Sequence, residues 1–184
     1  GYQTMDGALD GALENVAIGD FALSAVTSGD YNTCLGSTAG FGITTGANNI
    51  CIGKDTMKEH DTGSRNIAIG NTAMDNTEAT GANGGGALDN IFIGYASGGG
   101  AWDNYTSDQN VAIGNYTMDA ALAASDNNTV IGHQAGSGIT AGDNNTFIGY
   151  QAGTAATQVL QSVAVGGLAL STANGTEHYN TAVG

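Results

Sequence analysis

Asn145-Thr146-Phe147-Ile148-Gly149 is one copy of a five-residue phrase that recurs along the whole chain. Versions of it stand at 15–19 (NVAIG), 32–36 (NTCLG), 49–53 (NICIG), 66–70 (NIAIG) and 90–94 (NIFIG). They continue at 110–114 (NVAIG), 128–132 (NTVIG), 162–166 (SVAVG) and 180–184 (NTAVG). Gly1 shares the register, because GYQTM from Gly1 parallels GYQAG from Gly149. Successive closing glycines are 17 or 18 residues apart, except across 70–94 and 94–114, where the intervals are 24 and 20. A period this short and steady predicts a solenoid in which each repeat is one coil stacked on the last. The expected fold is all-β: a parallel β-solenoid of about ten coils, about 48 Å long at ~4.8 Å per coil. Residues 1–184 read as a single β-roll repeat domain, a segment of a longer fibre, with enlarged coils at 70–94 and 94–114.

Composition agrees and narrows the function. Glycine accounts for 31 of 184 residues and proline is absent. Collagen is therefore excluded, and 41% hydrophobic residues argue against simple disorder. The net charge is −14, with Lys54, Lys58 and Arg65 the only basic residues. Such a chain lacks the basic surface that nucleic acid or an anionic membrane requires. No apolar run approaches the ~20 residues needed to cross a bilayer as a helix.

Within a coil, the fourth motif position reads Ile18, Leu35, Ile52, Ile69, Ile93, Ile113, Ile131, Ile148, Val165 and Val183. Never polar, it is expected to form the core ladder, with the Val, Thr or Ile of the second position on the same face. The third position, on the opposite face, reads Ala17, Cys34, Cys51, Ala68, Phe92, Ala112, Val130, Phe147, Ala164 and Ala182. A strand with one wet side alternates apolar with polar; this one is apolar on both. The third column is accordingly expected to be buried against sister chains in an obligate homo-oligomer, a homotrimer. Cys34 and Cys51 fall 17 apart in that column, so they are either bonded or two buried thiols. After the glycine a second short strand is expected, whose fourth residue is Met, Leu or Gly and collects all four methionines (Met5, Met57, Met74, Met118) as core filler. The motif Asn suits a turn and a stacked Asn ladder.

NVAIG at 15–19 and 110–114, with SVAVG at 162–166, resembles the repeat of YadA-type trimeric autotransporter adhesin heads. NNTFIGYQAG (144–153) and NNTVIGHQAG (127–136) are similar to repeats of phage tail fibres and large bacterial surface proteins. The resemblance covers essentially the whole chain. It implies a left-handed parallel β-roll, three chains together, on a virion tail or bacterial cell surface.

The enlarged coils carry GANGGGALDN and GGGAWDNYTSDQN, with the only tryptophan. Insertions on one side of a solenoid often form its binding face. Trp102, Asp103, Tyr105, Asp108 and Tyr95 are therefore the candidate receptor or glycan loop; otherwise Trp102 caps an enlarged coil or packs between chains. His60, His133 and His178 share no metal-like spacing, and no nucleophile or phosphate-loop motif occurs. No catalytic residue and no cofactor is expected, beyond incidental Ca²⁺ at Asx turns. The expected function is a structural and adhesive, extracellular, non-enzymatic fibre segment that binds a surface glycan or protein receptor. Two alternatives are an ice- or mineral-binding solenoid, which needs an outward Thr ladder, and a glycan-active enzyme built on Asp89, Asp103 and Asp108.

Overall fold

The computed structural model of the protein describes residues 1–77, 86–102, 106–172 and 178–184. Ten three-residue strands form one parallel sheet in strict sequence order. They are β1 (Val16–Ile18), β2 (Thr33–Leu35), β3 (Ile50–Ile52), β4 (Ile67–Ile69) and β5 (Ile91–Ile93), followed by β6 (Val111–Ile113), β7 (Thr129–Ile131), β8 (Thr146–Ile148), β9 (Val163–Val165) and β10 (Thr181–Val183). Each motif copy pairs with the next in register, so Phe147 lies beside Val130 on one side and Ala164 on the other. The molecule is a β-solenoid with no helix among the described residues.

The corner after each strand belongs to the motif glycine. Gly149 has φ +138°, and a Cβ built there would lie 2.4 Å from the Gly166 carbonyl oxygen of the next coil. Neither the conformation nor the close approach admits a side chain. Beyond the glycine the expected second strand does not form. The backbone still bonds from coil to coil, as in Leu23 N–H to Ala39 O (3.0 Å) and Met57 N–H to Ala73 O (3.1 Å). However, the second and fourth residues of the segment sit at positive φ, for example Thr38 at 56° and Met57 at 47°. Left-handed residues cannot pleat, so the side opposite the sheet is a stack of turns.

The motif Asn side chains form the ladder that the repeat suggested. Asn32 Oδ1 accepts from both the backbone N–H and the Nδ2 of Asn49 (3.0 and 3.1 Å), and Asn49 Nδ2 also donates to Gly63 O (2.8 Å). The pattern repeats through Asn145 and ends at Ser162, which carries only a hydroxyl. A buried amide with donors and acceptor all engaged contributes stability where an unpaired one would cost it.

The two faces of the sheet are the reverse of the sequence expectation. Cys34, Cys51, Ala68, Phe92, Ala112, Val130, Phe147 and Ala164 are fully buried inside the single chain, with Ala17 and Ala182 packed against the same core at the ends. The fourth-position residues point outward instead: Ile18, Ile52, Ile113, Ile131, Ile148, Val165 and Val183 are exposed, and Leu35, Ile69 and Ile93 half-exposed. Motif positions one and three share a face in a strand, and the Asn ladder at position one lies inside. The third-position column therefore has an interior of its own. The chain exposes 7738 Å², close to the roughly 8,000 Å² expected of a globular monomer of its mass. Both cysteines are free and buried.

Packing in this thin interior is settled within each coil. The strand's central residue abuts the residue six positions later: a Cβ at Gly153 would lie 2.4 Å from the Phe147 ring, and one at Gly98 2.6 Å from Phe92. Where the centre is Phe or Val the partner is glycine, in the pairs Phe92/Gly98, Val130/Gly136 and Phe147/Gly153. Where it is Ala the partner is Leu or Met, in Ala17/Leu23, Ala68/Met74, Ala112/Met118 and Ala164/Leu170. The cysteines pair either way, Cys34 with Gly40 and Cys51 with Met57. A large residue at one of the two positions is met by a small one at the other, which lets coils of different composition stack in register.

Candidate functional site

Three features of the structure bear on function: the outward sheet face, the enlarged coils, and the corner beyond the motif glycines. The outward face carries motif positions two and four, side by side about 7 Å apart along each strand. Over ten strands it forms two parallel ranks about 43 Å long at the usual strand spacing. Sixteen of its twenty residues are Val, Ile or Leu, and the other four are Thr33, Thr129, Thr146 and Thr181. No charge interrupts it. A largely apolar surface of this extent is a candidate interaction site.

Of the residues expected to form a receptor loop, Trp102, Tyr95 and Asp108 fall among the described residues. Trp102 is buried, its ring 5.7 Å from that of Phe92 and its Nε1–H donating to Gly98 O at 3.1 Å. It occupies the interior position that Val26, Ile43, His60, Leu122 and Ile139 fill in other coils, and serves as packing for an enlarged coil. Asp108 lies at the turn before β6, where its carboxylate accepts the Leu88 N–H (2.8 Å) and its own N–H donates to Asp126 Oδ1 (2.8 Å). Partial burial pushes its carboxyl above the usual range. Tyr95 lies beyond the opposite end of the sheet, after β5. Asp103 and Tyr105, and the other added residues at 78–85, lie outside the described residues. Asp89, a member of the enzyme alternative, is forked to Arg65 by bonds of 2.6 and 2.9 Å.

Beside the Asn ladder, the interior holds a buried histidine. His60 is buried, its Nδ1 2.6 Å from Thr77 Oγ1, while its Nε2 accepts from Asn66 Nδ2 at 3.2 Å. Burial lowers its pKa to about 4, so the ring is neutral at physiological pH. Cys51 Sγ is 3.4 Å from Met57 Sδ, and burial holds its thiol well above the ordinary value. Among the described residues no three of His, Cys, Asp or Glu gather as metal ligands.

At the corner beyond the strands, Tyr95, Tyr116, His133 and Tyr150 form a continuous row over four coils. Ring centroids are 5.3, 5.9 and 5.8 Å apart, and all four side chains are exposed. A second cluster, Tyr2–Phe21–Phe41, stands at the other end of the same corner, with spacings of 5.4 and 6.4 Å. Of these residues only Tyr95 belonged to the expected loop. The signal was present in the sequence, since GYASG, GNYTM, GHQAG and GYQAG place an aromatic within two residues of four consecutive motif glycines.

Comparison with protein-family models, with curated proteins and with solved structures finds no match.

Proposed function

We propose that the chain is a structural and adhesive segment of an extracellular homotrimeric fibre, of the kind carried on phage tails and bacterial surfaces, built of left-handed rolls and without catalytic activity. The observation that carries this reading is the outward face of two ranks, Val, Ile or Leu at all but four Thr positions, which runs along all ten strands and stays exposed or half-exposed among the described residues. Sister chains that present the same ladder would cover it along its whole length, and an elongated face repeated at constant pitch suits a rotation axis parallel to the stack. The basis for assembly thus passes from the third motif position, which lies inside the coil, to the second and fourth. The expected mass by sedimentation equilibrium is three times 18.2 kDa. A compact 18.2 kDa particle at micromolar concentration would defeat the proposal.

One observation favours a second reading. The same face is regular and uncharged, and it carries Thr in four coils, the residue type an outward ice-binding ladder needs. Trimer formation and ice binding compete for it. A monomer that shows thermal hysteresis would select ice binding, and a trimer without hysteresis would select the fibre.

A further inference from the structure

We infer that the row Tyr95–Tyr116–His133–Tyr150 is a binding platform for an extended, uncharged oligosaccharide. Four exposed aromatic rings follow one another at 5.3, 5.9 and 5.8 Å, tilted 68°, 75° and 19° to their neighbours, and together offer ring edges and faces against which the apolar C–H faces of successive sugar units can pack. Two amides flank the rings. Gln151 Nε2 donates to Gln134 Oε1 at 2.7 Å, which fixes both side chains beside His133 and Tyr150 and leaves a hydrogen available on Gln151 Nε2 for a sugar hydroxyl.

Two observations separate a sugar from other occupants. The apolar ranks at motif positions two and four repeat in every coil, as a chain-long interface requires. The aromatic row does not, since the same corner carries Ser37-Thr38, Lys54-Asp55 and Asn71-Thr72 in other coils. A local feature on a periodic scaffold fits a local ligand better than a sister chain. The second observation is charge. All three basic residues lie between 54 and 65, outside the row, and the chain as a whole carries −14. Phosphate, sulfate and uronate groups would meet no counter-charge there, so a neutral glycan is selected. The inference deepens the attachment reading and rests on it for its biological purpose. The two fail separately, because assembly is read from mass and this site from sugar binding.

The test is saturation-transfer NMR and calorimetric titration of the full chain with cellohexaose, maltohexaose and chitohexaose, with a hexa-galacturonate as the acidic probe. Tyr116→Thr and Tyr150→Asn are the variants of choice. Other coils carry Thr38 and Thr72, at φ of 56° and 55°, where Tyr116 stands in its own coil, and Asn71 and Asn115 where Tyr150 stands, so both variants should fold. At least one neutral hexamer should bind, with saturation transferred from the protein to its sugar-ring protons. Each variant should weaken that binding tenfold or more without changing sedimentation or melting temperature. No binding of any neutral hexamer, equal binding of the galacturonate, or binding unchanged in both variants would each overturn the inference.

Discussion

His60 shows how one titratable side chain in a mostly apolar column changes the response of the molecule to pH. Its neighbours in the column are Ile43 in the preceding coil and Thr77 in the next, and its ring is held neutral by burial beside Thr77, Asn66 and Gly63. The folded pKa of about 4 lies below the ordinary histidine value of 6.5. The unfolded chain therefore binds the proton first, and the stabilisation is complete above 6.5 and lost as pH falls toward 4. The full loss corresponds to about 3 kcal/mol. Denaturant titrations of the protein and of His60→Val across pH 7 to 4 should diverge by that amount, with the variant flatter; parallel curves would show that the ring is not buried neutral. Asp75, Asp108 and Asp119, whose carboxyls partial burial raises, act in the opposite sense and are common to both proteins. In the sequence His60 is one of three scattered histidines. Only its register, seven residues after Gly53 as Ile43 is after Gly36, marks it as interior.

At the scale of the coil, the pairing between a strand's central residue and the residue six positions later is the rule most open to a double-mutant cycle. Phe147→Ala leaves a cavity and should cost about 3–5 kcal/mol. Gly153→Met drives a side chain into the Phe147 ring and should cost at least about 1–3 kcal/mol. Together they recreate the Ala68/Met74 pairing, and the double variant should be more stable than either single one, with a coupling above about 2 kcal/mol. Additive losses would show that the two positions do not share the same space. The strands and their register were legible because the Asn…Gly frame repeats in phase, and the Asn ladder follows from stacking identical amides. The direction of each face was not legible. Both faces of the strand are apolar, so alternation is silent, and the energetic difference lies in the cramped interior, where Ala, Cys and Phe are matched to a partner six residues away. The turns replaced an expected strand because Gln, Thr and Met take left-handed conformations there that their residue types do not advertise.

For the whole molecule, the consequence of that reversal is that a single chain closes its own core and still presents an apolar surface the length of the solenoid. The Trp102 loop was expected to carry recognition because insertions on one side of a solenoid often form its binding face, or else Trp102 was to cap an enlarged coil or pack between chains. The indole is buried instead, packed beside the Phe92 ring. The proposed recognition thus moves to the tyrosine corner, and the proposed assembly to the Val/Ile/Leu face. Thiol labelling of adjacent positions tests both the direction of the two faces and the cover over the outer one. In a chain whose Cys34 and Cys51 are replaced by Ala, the residue most other coils carry there, the variants Val130→Cys and Ile131→Cys place one thiol on each face of β7. The thiol at 130 should stay unreactive toward a disulfide reagent at every protein concentration. That at 131 should be protected when the chains are concentrated and react within seconds when they are diluted to monomers. Equal labelling of the two positions, or free labelling at 131 under concentrated conditions, would contradict the proposed structure and assembly.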